Sequence, residues 1–190
     1  MGEAYTKVSE SRVSRTDDMI FVTVGNAIKG GEFHRFVRRI DEIAQDLNEE
    51  IVAQIGFIDE LPRNIRSFSH LNYVEVQRYF REASIIVGHC GTGTVITALT
   101  YGKPIILVPR TKAYEEAIDD HQFELADKLK GMEGIFIVDD LNRLKETILH
   151  VKTLMETKRI EPSFSQERGR LLSFIRTFVR ECANEHSSGE

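Results

Sequence analysis

The chain has 190 residues, 41% of them hydrophobic, with 25 Lys+Arg against 30 Asp+Glu and a formal net charge of −5. That length suits one ordinary globular domain and is short for two. The apolar fraction excludes global disorder, and the acidic balance argues against a dedicated nucleic-acid binder.

Two cysteines, Cys90 and Cys182, cannot make a disulfide framework or, by themselves, a four-thiolate metal site. A reducing cytosolic compartment is the simplest reading. No stretch approaches the roughly 18–20 apolar residues of a membrane span. Residues 1–18 are polar, without period and without the apolar core of a signal peptide, and read as a flexible leader.

From Met19 the chain alternates strand-like and helix-like segments. Met19–Val24 reads as a buried strand ended by Gly25-Asn26. Phe33, Phe36, Val37, Ile40, Ile43, Ala44 and Leu47 recur at helical spacing and predict a helix with one buried face. Ile51–Ile55 reads as a second strand, stopped by Gly56. Residues 57–71 read as loop with a short strand near Ile65–Phe68, and Asn72-Tyr73-Val74 as another short strand. Val76, Tyr79, Phe80 and Ala83 mark a short helix.

Ser84–Val87 is a strand that leads into a glycine-rich turn. A helix from about Thr94 to Tyr101 follows, with Gly102 as its stop. Pro104–Val108 is a strand closed by Pro109, and residues 109–119 are a polar loop. The next helix runs from about Asp120 to Lys130, with Phe123, Ala126 and Leu129 inward. Ile135–Val138 is a strand. Leu141, Leu144, Ile148, Val151 and Met155 mark a long helix. After Pro162, Leu171, Leu172, Ile175, Phe178 and Val179 mark a last amphipathic helix.

Such alternation predicts an α/β fold, a single Rossmann-like doubly wound parallel sheet over residues 19–160, with an amphipathic helix and tail over 161–190. In such sheets ligands bind at the carboxyl ends of the strands. The loops after Val24, Val87, Val108 and Val138 are therefore the places to look.

Three constellations stand there. Gly88-His89-Cys90-Gly91-Thr92-Gly93-Thr94 joins a strand to a helix. Glycines let backbone approach a ligand, the helix start offers unpaired N–H groups to a phosphate, and the two threonines add hydroxyls. A tight turn without ligand uses the same residues. No Gly-Lys-Ser/Thr follows, so it is not a Walker loop, and it follows a middle strand, unlike the dinucleotide fingerprint. Asp119-Asp120-His121-Gln122 opens a helix. Aspartate there suits a cap, and Gln can also bond vicinal hydroxyls with both amide ends. The third is Thr23-Val24-Gly25-Asn26, a strand exit that should face the same crevice.

Together these residues resemble a family. Phe21-Val22-Thr23-Val24-Gly25, the Ile-Val-Gly-His-x-Gly-x-Gly-Thr run at 86–94, Gly102-Lys103-Pro104, Pro109-Arg110 and Asp120-His121-Gln122 look like the C-terminal domain of family-28 glycosyltransferases. The stand-alone form of that domain, the nucleotide-sugar-binding subunit of two-component N-acetylglucosaminyltransferases of lipid-linked oligosaccharide synthesis, is the most similar. The related subunits of polysaccharide-type transferases look similar too.

The resemblance implies the C-terminal half of a GT-B enzyme that is inverting and metal-independent, needs no cofactor, and takes a UDP-sugar, of the UDP-GlcNAc kind, as donor. It implies a membrane-associated partner subunit that holds the lipid-linked or polysaccharide acceptor, with this chain cytoplasmic and at the membrane only through that partner. It assigns the diphosphate to Gly91, Gly93 and Thr94, with Thr92 beside them, and the sugar to Asp120 and Gln122, next to His121. His89 stands at the mouth of the loop, and Gly25 and Asn26 face the same crevice. Family members commonly carry a Glu one turn into the helix, placed for the ribose hydroxyls. Thr97 stands there in this chain. That departure leaves room for a non-catalytic nucleotide-sugar binder or regulatory subunit.

Other chemistries are poorer fits. Cys90 and His89 are adjacent in a tight loop, where neighbours rarely point at each other, and no third group orients them as nucleophile and base. His89, Cys90, Asp120 and His121 could converge on a metal, but the glycine loop explains itself better as an anion site. Arg168, Arg170, Arg176 and Arg180 read as the wet face of the last helix.

Overall fold

Six parallel strands form one sheet in the order β3-β2-β1-β4-β5-β6. They are β1 (Met19–Thr23), β2 (Glu50–Gln54), β3 (Arg66–Phe68), β4 (Ile85–His89), β5 (Ile105–Val108) and β6 (Ile135–Ile137), with helices α1 (His34–Ala44), α2 (Tyr73–Glu82), α3 (Thr92–Thr100), α4 (His121–Leu129) and α5 (Leu144–Glu156). The computed structural model describes residues 19–25, 31–118, 120–158, 169, 173–175 and 177. The leader at 1–18, Asn26, Asp119, Cys182 and the four arginines read as the wet face of the last helix lie outside the described residues.

The central strands β1, β4 and β5 are buried and largely apolar on both faces because both are covered, whereas the edge strand β3 carries Arg66 and Ser67. Ile20 and Val22 of β1, Val87 of β4 and Ile106 of β5 pack with Phe36 and Ile40 of α1 and Ile148 of α5. Phe21, Ile86 and Leu107 point the other way, to Tyr79 and Phe80 of α2, Val95 and Leu99 of α3 and Leu125 of α4. The alternation is the period of two expected of a strand. Phe21 stacks on Tyr79 at 5.3 Å between ring centroids and meets Phe80 edge-on at 5.4 Å. Burying aromatic side chains of this size contributes roughly 1.5–3 kcal/mol each. Ile175, expected on the apolar stripe of the last helix, is buried in the layer of α2, α3 and α4.

Two expectations are corrected. Asn72-Tyr73-Val74 is a helix start and not a strand. Asn72 Oδ1 accepts from the Glu75 N–H at 3.0 Å, and the Glu75 carboxylate accepts from the Asn72 N–H at 3.1 Å. That reciprocal box fixes the start of α2. Phe123 is 36% exposed, and Leu125 takes the inward place with Ala126 and Leu129. Among the described residues the other elements are found in the expected order, with α1 ending at Ala44 and not Leu47, α5 beginning at Leu144 after a 3-10 turn at Leu141–Arg143, β4 continuing through Gly88 to His89 and α3 beginning at Thr92. The loop after β5 holds a 3-10 turn at Lys112–Tyr114.

β1 has β2 on one side and β4 on the other. The winding of the chain reverses between β1 and β4, and this is where a doubly wound sheet opens a crevice for ligands.

Candidate functional site

The exits of β1, β4 and β5 lie side by side at this edge. Thr23 is in register with Gly88, and His89 with Val108. Gly25, His89 and the Pro109-Arg110 pair therefore emerge together.

His89 is half-buried, with its imidazole set between two glycines. A Cβ on Gly25 would collide with Cε1 of the ring, and a Cβ on Gly91 with its Nε2. Gly25 also has φ of +71°, a conformation that side chains with a Cβ resist. Thr94 Oγ1 lies 3.3 Å from His89 Nδ1. Burial above all, then the Arg110 charge, pushes the imidazole down to about 4, against a raising hydrogen bond with the Thr23 backbone. His89 is therefore neutral at physiological pH.

The cation of the crevice is Arg110, 8% exposed. From the exit of β5 its Nη2 reaches past β4 and donates to the Val24 carbonyl at 2.8 Å, at the exit of β1. Its guanidinium lies over the Phe33 ring, 5.4 Å from the centroid. Its Nε is enclosed and has no acceptor. Sequence reasoning noted Arg110 only as part of the Pro109-Arg110 match. Its signal was a charge immediately after a fully buried strand, at the carboxyl end where ligands gather.

α3 points its N-terminus at the same edge. Its N-cap is Gly91, no side chain caps it, and its first turn holds no acid. The first N–H groups of any helix lack intrahelical partners and carry a partial positive charge. Gly93 faces open space, with nothing within 4 Å of where a Cβ would be. Thr92 opens the helix beside it. Thr97 is one turn further on, and its hydroxyl donates to the Gly93 carbonyl at 2.7 Å.

The loop after β5 is fixed by a buried carboxylate. Glu116 is 3% exposed. Its two oxygens accept from Arg35 Nε at 2.7 Å and Nη2 at 2.9 Å, and Oε2 also accepts from the Thr111 N–H at 3.2 Å. Arg35 further donates to the Pro109 carbonyl at 3.1 Å. Gln122 Oε1 accepts from the Arg110 N–H at 3.1 Å, and Asp120 Oδ1 from the Lys112 N–H at 3.3 Å. Asp120 precedes α4 without capping it by a side-chain bond. Its neighbour His121 is the first residue of α4 and is half-buried.

Of the residues expected at the site, Gly25, His89, Gly91 and Thr94 thus meet around one ring. Gly93 and Thr92 stand at the open helix end. Gln122 joins the cluster through Arg110, and Asp120 is tied to its own loop. Cys90 is buried, and burial pushes its thiol up to about 12. A thiol so protonated is no nucleophile near neutral pH. Among the described residues, no group of three or more His, Cys, Asp or Glu is placed to hold a metal ion. No helix among them is long and apolar enough to cross a membrane. A separate shallow hollow, lined by His34, Val37, Arg38, Ile58, Leu61 and Arg63, contains none of the crevice residues.

Known proteins agree with this architecture. Residues 19–169 match the glycosyltransferase family 28 C-terminal domain. The chain is 25% identical over 172 residues to the UDP-N-acetylglucosamine transferase subunit ALG13 of Debaryomyces hansenii, covering 81% of this chain and 79% of that one. It is 30% identical over 129 residues to the mouse protein of the same name, covering 61% of this chain and 10% of that one. Among solved structures, the glycotransferase of kitacinnamycin superposes with a TM-score of 0.59 at 18% identity, over 93% of this chain and 44% of that one. MurG of Acinetobacter baumannii gives 0.56 at 17% identity, over 87% and 51%. The chain thus spans about half or less of these solved transferases, and a tenth of the mouse relative. The helix end, the glycine-walled histidine and the order of the strands all sit inside the matched region, and the chain belongs to the glycosyltransferase family 28 C-terminal domain family.

Proposed function

We propose that this chain is the donor-binding subunit of an inverting glycosyltransferase, holding a UDP-sugar of the UDP-GlcNAc kind for transfer to a lipid-linked or polysaccharide acceptor. The observation that carries the reading is the open N-terminus of α3 at Gly93, with buried Arg110 reaching across to the Val24 carbonyl at the same reversal point of the sheet. Fixed N–H dipoles and a cation suit a diphosphate, and they would stabilise it most as it leaves with its negative charge developed.

In the proposed step an acceptor hydroxyl attacks the anomeric carbon. The bond from that carbon to the diphosphate oxygen breaks with inversion, and the hydroxyl proton passes to a base on the partner. The partner is a membrane-associated, acceptor-binding subunit. This part of the reading is supported by the relatives named as transferase subunits and by the length of the matched transferases.

A second reading, a non-catalytic nucleotide-sugar binder or regulatory subunit, is favoured by Thr97. Its hydroxyl proton is spent on the Gly93 carbonyl, so it offers a ribose only an acceptor.

A thermal-shift panel of nucleotides and nucleotide-sugars tests donor binding, because a ligand of the folded state raises the melting temperature. UDP and one UDP-sugar should raise it, and no response across the panel would contradict the proposal. Sugar transfer that appears only when a membrane-associated half-transferase is added separates the enzyme subunit from the non-catalytic binder.

A further inference from the structure

Arg110 is a buried cation with a donor left over. One Nη2–H goes to the Val24 carbonyl, and the guanidinium rests on Phe33, but Nε has no acceptor. An unsatisfied buried donor on a charged group is costly, and native structures keep few of them. The nearby carboxylate of Glu116 does not neutralise Arg110 alone, because both its oxygens take the Arg35 fork and one also takes the Thr111 N–H. Glu32 acts on Arg110 electrostatically as well.

The position matters as much as the charge. The side chain starts at the exit of β5, passes β4 and ends at the exit of β1, so it spans the reversal point of the sheet. The N-terminus of α3 leaves from the exit of β4, between those two points. Two fixed sources of positive potential thus meet at one crevice, and the imidazole between them is neutral. A helix N-terminus alone takes one phosphate well. A second, rigid cation alongside it suits a ligand with a second phosphate.

We propose that Arg110 is the specificity-determining residue by which this site prefers a nucleoside diphosphate to a nucleoside monophosphate, its buried guanidinium supplying the charge that faces the second phosphate. The inference rests on the donor-site reading above.

The test is calorimetric titration of the full chain, Arg110→Met and Arg110→Lys with UDP, UMP, uridine and inorganic pyrophosphate. The unaltered chain should bind UDP at least about tenfold more tightly than UMP, the scale of one charge-assisted contact. Arg110→Met should shrink that ratio to about threefold or less and weaken pyrophosphate in parallel, with uridine changed less than about twofold. Arg110→Lys keeps the charge without the fork. It should fall between the two, and it decides the matter if the Met variant does not fold. An unchanged UDP/UMP ratio in the folded variants overturns the inference. So does an equal loss for uridine and UDP, which marks a merely structural role. If the unaltered chain binds no nucleotide, the donor reading fails. Pyrophosphate binding that still depends on Arg110 would then preserve its anion role, and no pyrophosphate binding overturns both.

Discussion

The imidazole of His89 fills the space that a side chain on Gly91 would need. Gly91 is therefore required by its own fold, whereas Gly93, two residues on, faces open space. The two glycines of one loop make separable predictions.

Gly91→Ala should displace the ring and destabilise the protein by about 1–3 kcal/mol, the usual cost of overpacking a filled site. Gly93→Val should leave the melting temperature within a few degrees of the unaltered chain and abolish UDP binding. Thermal unfolding and calorimetry on both variants check this. A stable Gly91→Ala, or a folded Gly93→Val that binds UDP normally, contradicts the arrangement.

His89 gives stability a pH dependence. Its folded value is about 4 against an ordinary 6.5, so between those values the unfolded chain binds more protons than the folded one. Stability then rises with pH across that window. The contribution is complete above about pH 6.5 and is lost as the solution is acidified toward 4. Its size is of the order of 3 kcal/mol. Urea unfolding from pH 4 to 7 should show a steeper acid loss for the unaltered chain than for His89→Asn. Parallel curves would contradict a neutral imidazole held between the two glycines.

The loop after β5 depends on a charge pair. Removing one partner of a buried pair costs about 3–5 kcal/mol, more than removing both. Arg35 is 24% exposed, so the lower end of that range is expected. Glu116→Leu should destabilise by about 3 kcal/mol, and Arg35→Met with Glu116→Leu should recover part of it. Chemical denaturation measures both, and additive losses in the double variant would contradict the coupling.

Thr97 tests the ribose assignment. Thr97→Glu gives up the bond to the Gly93 carbonyl and places a carboxylate where the family commonly has one. A charge-assisted hydrogen bond contributes roughly 1.5–3 kcal/mol. UDP should therefore bind about tenfold more tightly, by calorimetry. Equal or weaker binding with unchanged folding would remove Thr97 from the ribose site.

Much of this was legible in the sequence because burial on both faces writes strands as unbroken apolar runs. Met19–Val24 and Pro104–Val108 are examples, and their order with the helices implied a parallel sheet. Asn72-Tyr73-Val74 misled because Tyr and Val favour strands by composition, while the deciding feature was Glu75 reaching back to Asn72. Phe123 misled because helical period places it inward, yet at the first turn of α4 it stands at the rim. The glycine-rich loop was visible as a segment. That His89 folds back between Gly25 and Gly91 was not, because that contact joins two strand exits distant in sequence. Arg110 escaped notice as a site residue for a similar reason: its reach to Val24 crosses 86 residues of chain.

In the proposed complex a diphosphate rests on the N-terminus of α3. The most direct measurement is a backbone amide NMR titration of the full chain with UDP. Saturable shifts are expected, largest at Thr92, Gly93 and Thr94, with smaller ones at Gly25 and Arg110. Shifts confined to the hollow around His34 and Arg38, or none at all, would contradict that placement.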